Sequence, residues 1–187
     1  SLGGGLWHTA IGGAVVLQLA LIEDCTITSP SGGFEAGGGI AAYGTLTITE
    51  SRIDNCDAAD SGAGLHYEGS ATVQIQRSTI SNCGGTGVTA ISGTSFVIIN
   101  STISGNAGGA LTGGLDIQGA PVQLSFSTVT GNSGATWGGV YRTSGTLTII
   151  GCIIAGNTGA GSSADLDANG SMTVQNSVIG IQDPDAL

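Results

Sequence analysis

The chain of 187 residues contains no lysine, and besides two histidines its basic residues are Arg52, Arg77 and Arg142. Thirteen acids against these three give a net charge of −10. Nucleic-acid binding is disfavoured, because neutralising phosphates takes clustered lysine and arginine. An anionic membrane surface is disfavoured for the same reason. Charged residues make up 9% of the chain, against a usual ~25%. The longest apolar stretch, residues 10–22, is broken by Gly12, Gly13 and Gln18. It falls short of the ~20 residues a spanning helix needs, so membrane insertion is not expected. Nothing basic precedes it, as a secretory leader would require; a precursor could still carry one. The cysteines (Cys25, Cys56, Cys83, Cys152) show no C-x-x-C spacing, which argues against zinc and thioredoxin-like chemistry. No cofactor is expected.

Glycine, by contrast, is abundant at 35 residues, without the triplet period of collagen. With 40% hydrophobic residues and a mean hydropathy of +0.32, the chain has enough apolar surface to fold.

The main signal is an internal repeat. Residues 37–55 read GGGIAAYGTLTITESRIDN, and residues 138–157 read GGVYRTSGTLTIIGCIIAGN. Between them, residues 62–82 and 113–132 repeat the pattern of glycine pair, alternating run, small residue, apolar residue and Asn. The last apolar position falls at Ile27, Ile53, Ile80, Ile103, Val129, Ile154 and Ile179, about every 25 residues. Upstream of it, two apolar columns lie two residues apart, Leu46 and Ile48 for example, with a mostly polar column between them. A spacing of two is the strand period. A glycine at every turn argues against helical repeats. A period near 25 holds about three short strands, and stacking such units gives an all-β parallel β-helix, a solenoid of about seven coils. One domain is expected over 1–187, with an irregular first coil at 1–36, regular coils at 37–181 and a short tail at 182–187.

Three columns stand out. Two before the apolar marker come Cys25, Ser51, Ser78, Ser101, Ser127, Cys152 and Ser177, small residues suited to an inner corner. Three after it come Cys56, Cys83, Asn106, Asn132 and Asn157. Asn106, Asn132 and Asn157 suit an asparagine ladder, in which stacked amides bond along the axis. Cys56 and Cys83, on adjacent rungs ~4.8 Å apart, are candidates for a disulfide, with free buried thiols as the alternative. The glycine pairs, such as Gly113–Gly114, read as tight turns needing positive φ.

The repeated glycine pair followed by I-x-x-N or I/V-x-G-N resembles the polymorphic outer-membrane-protein repeats of secreted bacterial β-helix proteins. The segments GTLTITESRIDN and GTLTIIGCIIAGN carry the likeness most specifically. The resemblance covers 37–181 well and 1–36 loosely. It implies a right-handed β-helix, export to the extracellular space or cell surface, and a structural or adhesive role. It brings no catalytic residues with it.

An enzyme is not expected from the residues either. Arg52 sits near Glu50, Asp54, Asp57 and Asp60, which reads as a solvated acidic turn. The column Trp7, Ala41, His66, Thr89, Asp116, Tyr141 and Asp167 reads as an ordinary exposed face. On it, His66, Asp116 and Tyr141 form a weak glycan strip, so the alternative function is a glycan-binding or carbohydrate-active β-helix. Residues 165–170, DLDANG, match half a calcium loop, but its twelfth position is Asn176 rather than Glu, and no metal is expected. A threonine ice face is not expected either, because Thr47, Thr148 and Thr173 alternate irregularly with Leu21, Gln74, Val97 and Gln123.

An open β stack exposes its end strands. The run VVLQLALI at 15–22 puts Val15, Leu17, Leu19 and Leu21 at one end as a candidate interface. The partner is another copy stacked head to tail, a neighbouring domain of a longer chain, or surface glycans. Val97, Ile99 and Ile150 would add lateral contacts.

Overall fold

The computed structural model describes residues 5–8, 13–27, 36–58, 61–109, 112–160, 164–170 and 172–180. Among them there is no helix, and every long sheet is parallel with seven strands. The first sheet stacks Leu6–His8, Ile40–Ala42, Leu65–Tyr67, Val88–Ala90, Leu115–Gln118, Val140–Ser144 and Leu166–Ala168 in that order. The second runs from Ala14–Gln18 to Thr173–Gln175, and the third from Leu21–Glu23 to Val178–Ile179. Each turn of chain therefore lays one strand in each sheet and rises one rung.

The end rungs are paired on one side only, and in the second and third sheets their inner side chains, Val15, Leu17 and Ile22 at one end and Val174 and Ile179 at the other, are half-buried. Between them lie five coils covered on both sides. The expected seven coils are corrected to about five, because an end rung has no second neighbour to close its inner face.

The core is columns of like residues. Leu46, Val73, Phe96, Val122 and Leu147 form one, and Ile53, Ile80, Ile103, Val129 and Ile154 another; all are buried. Tyr67 meets Phe96 edge to face, with ring centroids 5.9 Å apart. Two corners of the coil use left-handed backbone. One takes Leu19, Glu50, Arg77, Asn100, Phe126, Gly151 and Asn176; the other takes Asp24, Asn55, Asn82, Gly105, Gly131 and Gly156. The second corner keeps to residues that tolerate this region, and the first does not.

Polar columns tie the rungs together. The hydroxyls of Ser51, Ser78, Ser101 and Ser127 each accept the backbone N–H of the corresponding residue one rung earlier. Each also donates to the carbonyl two residues before it. Beside this ladder, Asn106 Nδ2 donates to Asn132 Oδ1 and Asn132 Nδ2 to Asn157 Oδ1, both at 2.9 Å. Asn157 in turn donates to the buried carboxylate of Asp165 at 2.8 Å. Asp165 Oδ1 accepts the last amide and ends the chain.

The first coil departs from the expected register. Ile22, not Ile27, pairs with Ile53, while Val15 pairs with Leu46 and Leu17 with Ile48. Cys25 therefore leaves the serine column and stands beneath Cys56. Val15 and Leu17 belong to the inner columns and are half-buried; only Leu19 and Leu21 of the expected end interface are exposed.

The glycine pairs are also corrected. Neither Gly113–Gly114 nor Gly138–Gly139 has positive φ. A Cβ on Gly114 would lie 2.5 Å from the Gly139 carbonyl oxygen and 3.2 Å from Asn132 Nδ2. One on Gly139 would lie 2.9 Å from Asn157 Nδ2. The glycines clear room for the ladder and for the next coil.

Candidate functional site

The outward column of the first sheet has the expected order. Pairings run from Trp7 through Ala41, His66, Thr89, Asp116 and Tyr141 to Asp167. Its middle is not an exposed face, and that expectation is corrected: His66 and Thr89 are 0% exposed and Asp116 is 6% exposed. Alternation along a strand says which way a side chain points. It does not say whether another part of the chain covers it.

This strip is polar, buried and incompletely satisfied. His66 Nδ1 lies 3.2 Å from Ser61 Oγ, and Nε2 lies 3.8 Å from the Glu68 carboxylate. Burial holds the imidazole below its ordinary pKa, with Glu68 opposing. One rung on, Thr89 Oγ1 has no hydrogen-bond partner. Next, Asp116 Oδ2 accepts Gln118 Nε2 at 2.7 Å while Oδ1 is unpartnered. Burial pushes the Asp116 carboxyl above the usual carboxylate range, and the Gln118 bond only partly offsets it. Tyr141 then stacks flat on Trp137 at 3.4 Å, and Trp137 Nε1 donates to Asp167. Nearby, Tyr43, Glu68, Gly69, Ser70, Ser92, Gly93 and Thr94 line a groove of about 580 Å³. Glu68 connects that groove to His66.

Asp116 and Asp167 stand two rungs apart, roughly 10 Å at the rung spacing, close to the ~6.5–9.5 Å of an inverting carboxylate pair. Arg52 is exposed and paired with Asp54 at 2.7 Å, and Arg77 bonds Glu50 one rung away. The Ser81 hydroxyl, ahead of Arg52 and Asn82, holds the Asp54 carboxyl below its usual range. Asp60 lies outside the described residues. Arg142 is buried on the inner side, donating to the carbonyls of Gly145, Asn169 and Gly170. Asp165 turns into the asparagine ladder while Asp167 bonds Trp137, so the half calcium loop does not converge. Among the described residues no His, Cys, Asp or Glu cluster is arranged to hold a metal.

Cys56 and Cys83, expected as a disulfide or as free buried thiols, are buried free thiols in this structure. Side chains on successive rungs point in parallel, with Cβ atoms ~4.8 Å apart against the ~3.8 Å of a relaxed disulfide, so a bond between them would be strained. Sequence reasoning missed Trp137, Gln118, Ser61 and Glu68 as parts of the strip. All lie outside the repeated column, and only the fold brings them beside it.

Replacing Asp116 tests whether the strip is a stability cost. Its raised pKa means that the folded state favours the protonated form. The stability tied to that proton is full below about pH 4 and is lost as pH rises through the folded value. Asp116→Asn is expected to raise the unfolding midpoint by a few degrees near pH 7 and by almost nothing near pH 3. Thermal scans across pH read this directly. An equal shift at both pH values would count against it.

Profile comparison identifies right-handed β-helix region matches at residues 10–139 and 39–181. They span most of the chain, which therefore belongs to the right-handed β-helix family. No curated protein and no solved structure matches it.

Proposed function

We propose that the chain is a non-catalytic extracellular structural module, an adhesin-type element or filament subunit related to the polymorphic outer-membrane-protein repeats. It extends end to end by adding rungs. The observation that carries this reading is the continuity of its inner columns. Leu17 at one end and Val174 at the other belong to one column, as do Ile22 and Ile179, and all four are incompletely buried. A second copy set head to tail prolongs these apolar columns and pairs the edge strands. A heterologous contact of this kind propagates rather than closes.

Negative-stain microscopy over a concentration series, with light scattering, tests it. Filaments with an axial repeat near ~34 Å, seven rungs at ~4.8 Å, are expected. Leu17→Asp, confined to the end rung, should abolish them while preserving the β spectrum. Discrete monomers at every concentration would overturn the stacking reading.

A glycan-binding or polysaccharide-processing surface is the second reading, favoured by the Trp137–Tyr141 stack beside Asp167. Titration with oligosaccharides, followed by tryptophan fluorescence in the wild type and in Trp137→Phe, separates the two readings.

A further inference from the structure

Three of the four cysteines share one column. Glu23, Asp54 and Ser81 are paired on successive rungs, and so are Thr26, Asp57 and Gly84. Cys25, Cys56 and Cys83 stand between these bracketing pairs, with neighbouring Cα atoms ~4.8 Å apart. Each Sγ lies 3.3 or 3.4 Å from the carbonyl oxygen two residues before it, at Glu23, Asp54 and Ser81. The three side chains therefore adopt one orientation, and their sulfurs stack along the axis. Cys56 stands between the other two along the axis. Burial is graded along the column: Cys25 on the end rung is half-buried, while Cys56 and Cys83 are closed off. Cys152 stands apart in the serine column, where its N–H donates to Ser177 Oγ.

We propose that Cys25, Cys56 and Cys83 form a thiol–disulfide exchange relay, which accepts oxidation from a small-molecule disulfide at Cys25 and passes it inward. The Cys25 thiolate attacks one sulfur of the disulfide RSSR. The S–S bond breaks, RS⁻ leaves, and Cys25 is left in a mixed disulfide with R. The Cys56 thiolate then attacks the Cys25 sulfur and expels the second RS⁻, forming the Cys25–Cys56 bond. Last, the Cys83 thiolate attacks the Cys56 sulfur and releases Cys25 as a thiolate. Two protein thiols are oxidised, RSSR is reduced to two RSH, and the two protons lost by the protein end on those thiols.

Exchange displaces one sulfur by another in line, and a column of stacked sulfurs supplies that line. The rung spacing also keeps either protein disulfide strained, and strained disulfides are the exchangeable ones. Electrostatics sets the pH dependence. Burial, ahead of Cys56 and Asp24, raises the Cys25 thiol, and the contact with Cys83 together with burial raises Cys56, so the first two attacks accelerate as pH rises. The contact with Cys56 lowers Cys83, the last nucleophile.

Dithiodipyridine, a neutral disulfide suited to a chain of net charge −10, tests this on the native protein. Each displacement of pyridinethione is read by absorbance. With one equivalent of reagent per chain, two are expected. Cleavage at Arg52, Arg77 and Arg142 leaves every cysteine in its own peptide. After an acid quench and denaturation, peptide mapping should find Cys25–Cys56 early and Cys56–Cys83 later. Cys25→Ser should slow release at least about tenfold, because the inner thiols then react only on local opening. Cys83→Ser should keep both releases with the bond held at Cys25–Cys56, and Cys152→Ser should change nothing. A single release with a persistent mixed disulfide on Cys25 would overturn the relay. So would an unslowed Cys25→Ser, or loss of the second release in Cys83→Ser.

Discussion

Replacing Asn132 by alanine is expected to lower the unfolding midpoint by about 10 °C. The side chain makes four hydrogen bonds. Its Nδ2 donates to Ile103 O and Asn157 Oδ1, and its Oδ1 accepts from Asn106 N and Nδ2. All of this happens in a site with no solvent exposure. Truncation strands the Asn106 N–H and one Asn106 Nδ2 proton, and each buried unsatisfied group costs about 1–3 kcal/mol. A total of about 3–5 kcal/mol is large for one substitution but has a named cause. At ~2–4 °C per kcal/mol for a chain of this size, the shift is easily read by circular dichroism. A shift below about 2 °C would mean that the freed groups find water and that the ladder contributes little.

The second large effect is expected from Gly114→Ala, a substitution that usually stabilises where φ is negative, as it is here in the bend before Leu115–Gln118. Such a change gains about 0.4–1 kcal/mol by restricting the unfolded chain. Here the added Cβ would sit 2.5 Å from the Gly139 carbonyl oxygen and 3.0 Å from Val129 Cγ1. Backbone has to move, and it is the backbone of two rungs at once. Destabilisation of about 3 kcal/mol or more is expected, the range of overpacking in a tight core. Gly131→Ala is the contrast. Its φ of +64° is unfavourable for alanine, but the nearest atom to a Cβ there is 3.9 Å away. That change should cost only about 1–2 kcal/mol. Chemical denaturation of both variants separates lack of space from backbone conformation, and equal losses would refute the distinction.

The strand columns were legible because side-chain alternation and a fixed period are local properties. From Leu46 to Ile154 every inner column lands where the repeat puts it. The first coil was not legible. Ile27 is apolar and buried, and it follows a small residue, Cys25, by two, so it imitates the repeat. The longer stretch of sequence between the true marker, Ile22, and its partner Ile53 hid the correct register. The burial of His66, Thr89 and Asp116 was equally hidden, since alternation along a strand carries no sign of it. The left-handed corners escaped notice where propensity points the other way, at Leu19, Glu50, Arg77 and Phe126. Each donates its N–H to the next rung, at Thr49, Gln76, Ile99 and Ile150, and is held by that pairing rather than by its own preference. The glycine pairs were seen as a pattern but not for their cause, because a close approach between coils leaves no local signature.

The direction of the hydrogen bonds has a mechanical consequence. All three long sheets bond along the solenoid axis, so a pull between Gly5 and Gly180, at opposite ends of the stack, loads the rungs in series. Such a thread yields by peeling one rung at a time rather than by shearing many bonds together. Each rung that lets go exchanges a ~4.8 Å rise for roughly 85 Å of slack chain. The molecule is stiff against bending while its columns are intact, and under tension it is a reservoir of length paid out in equal steps.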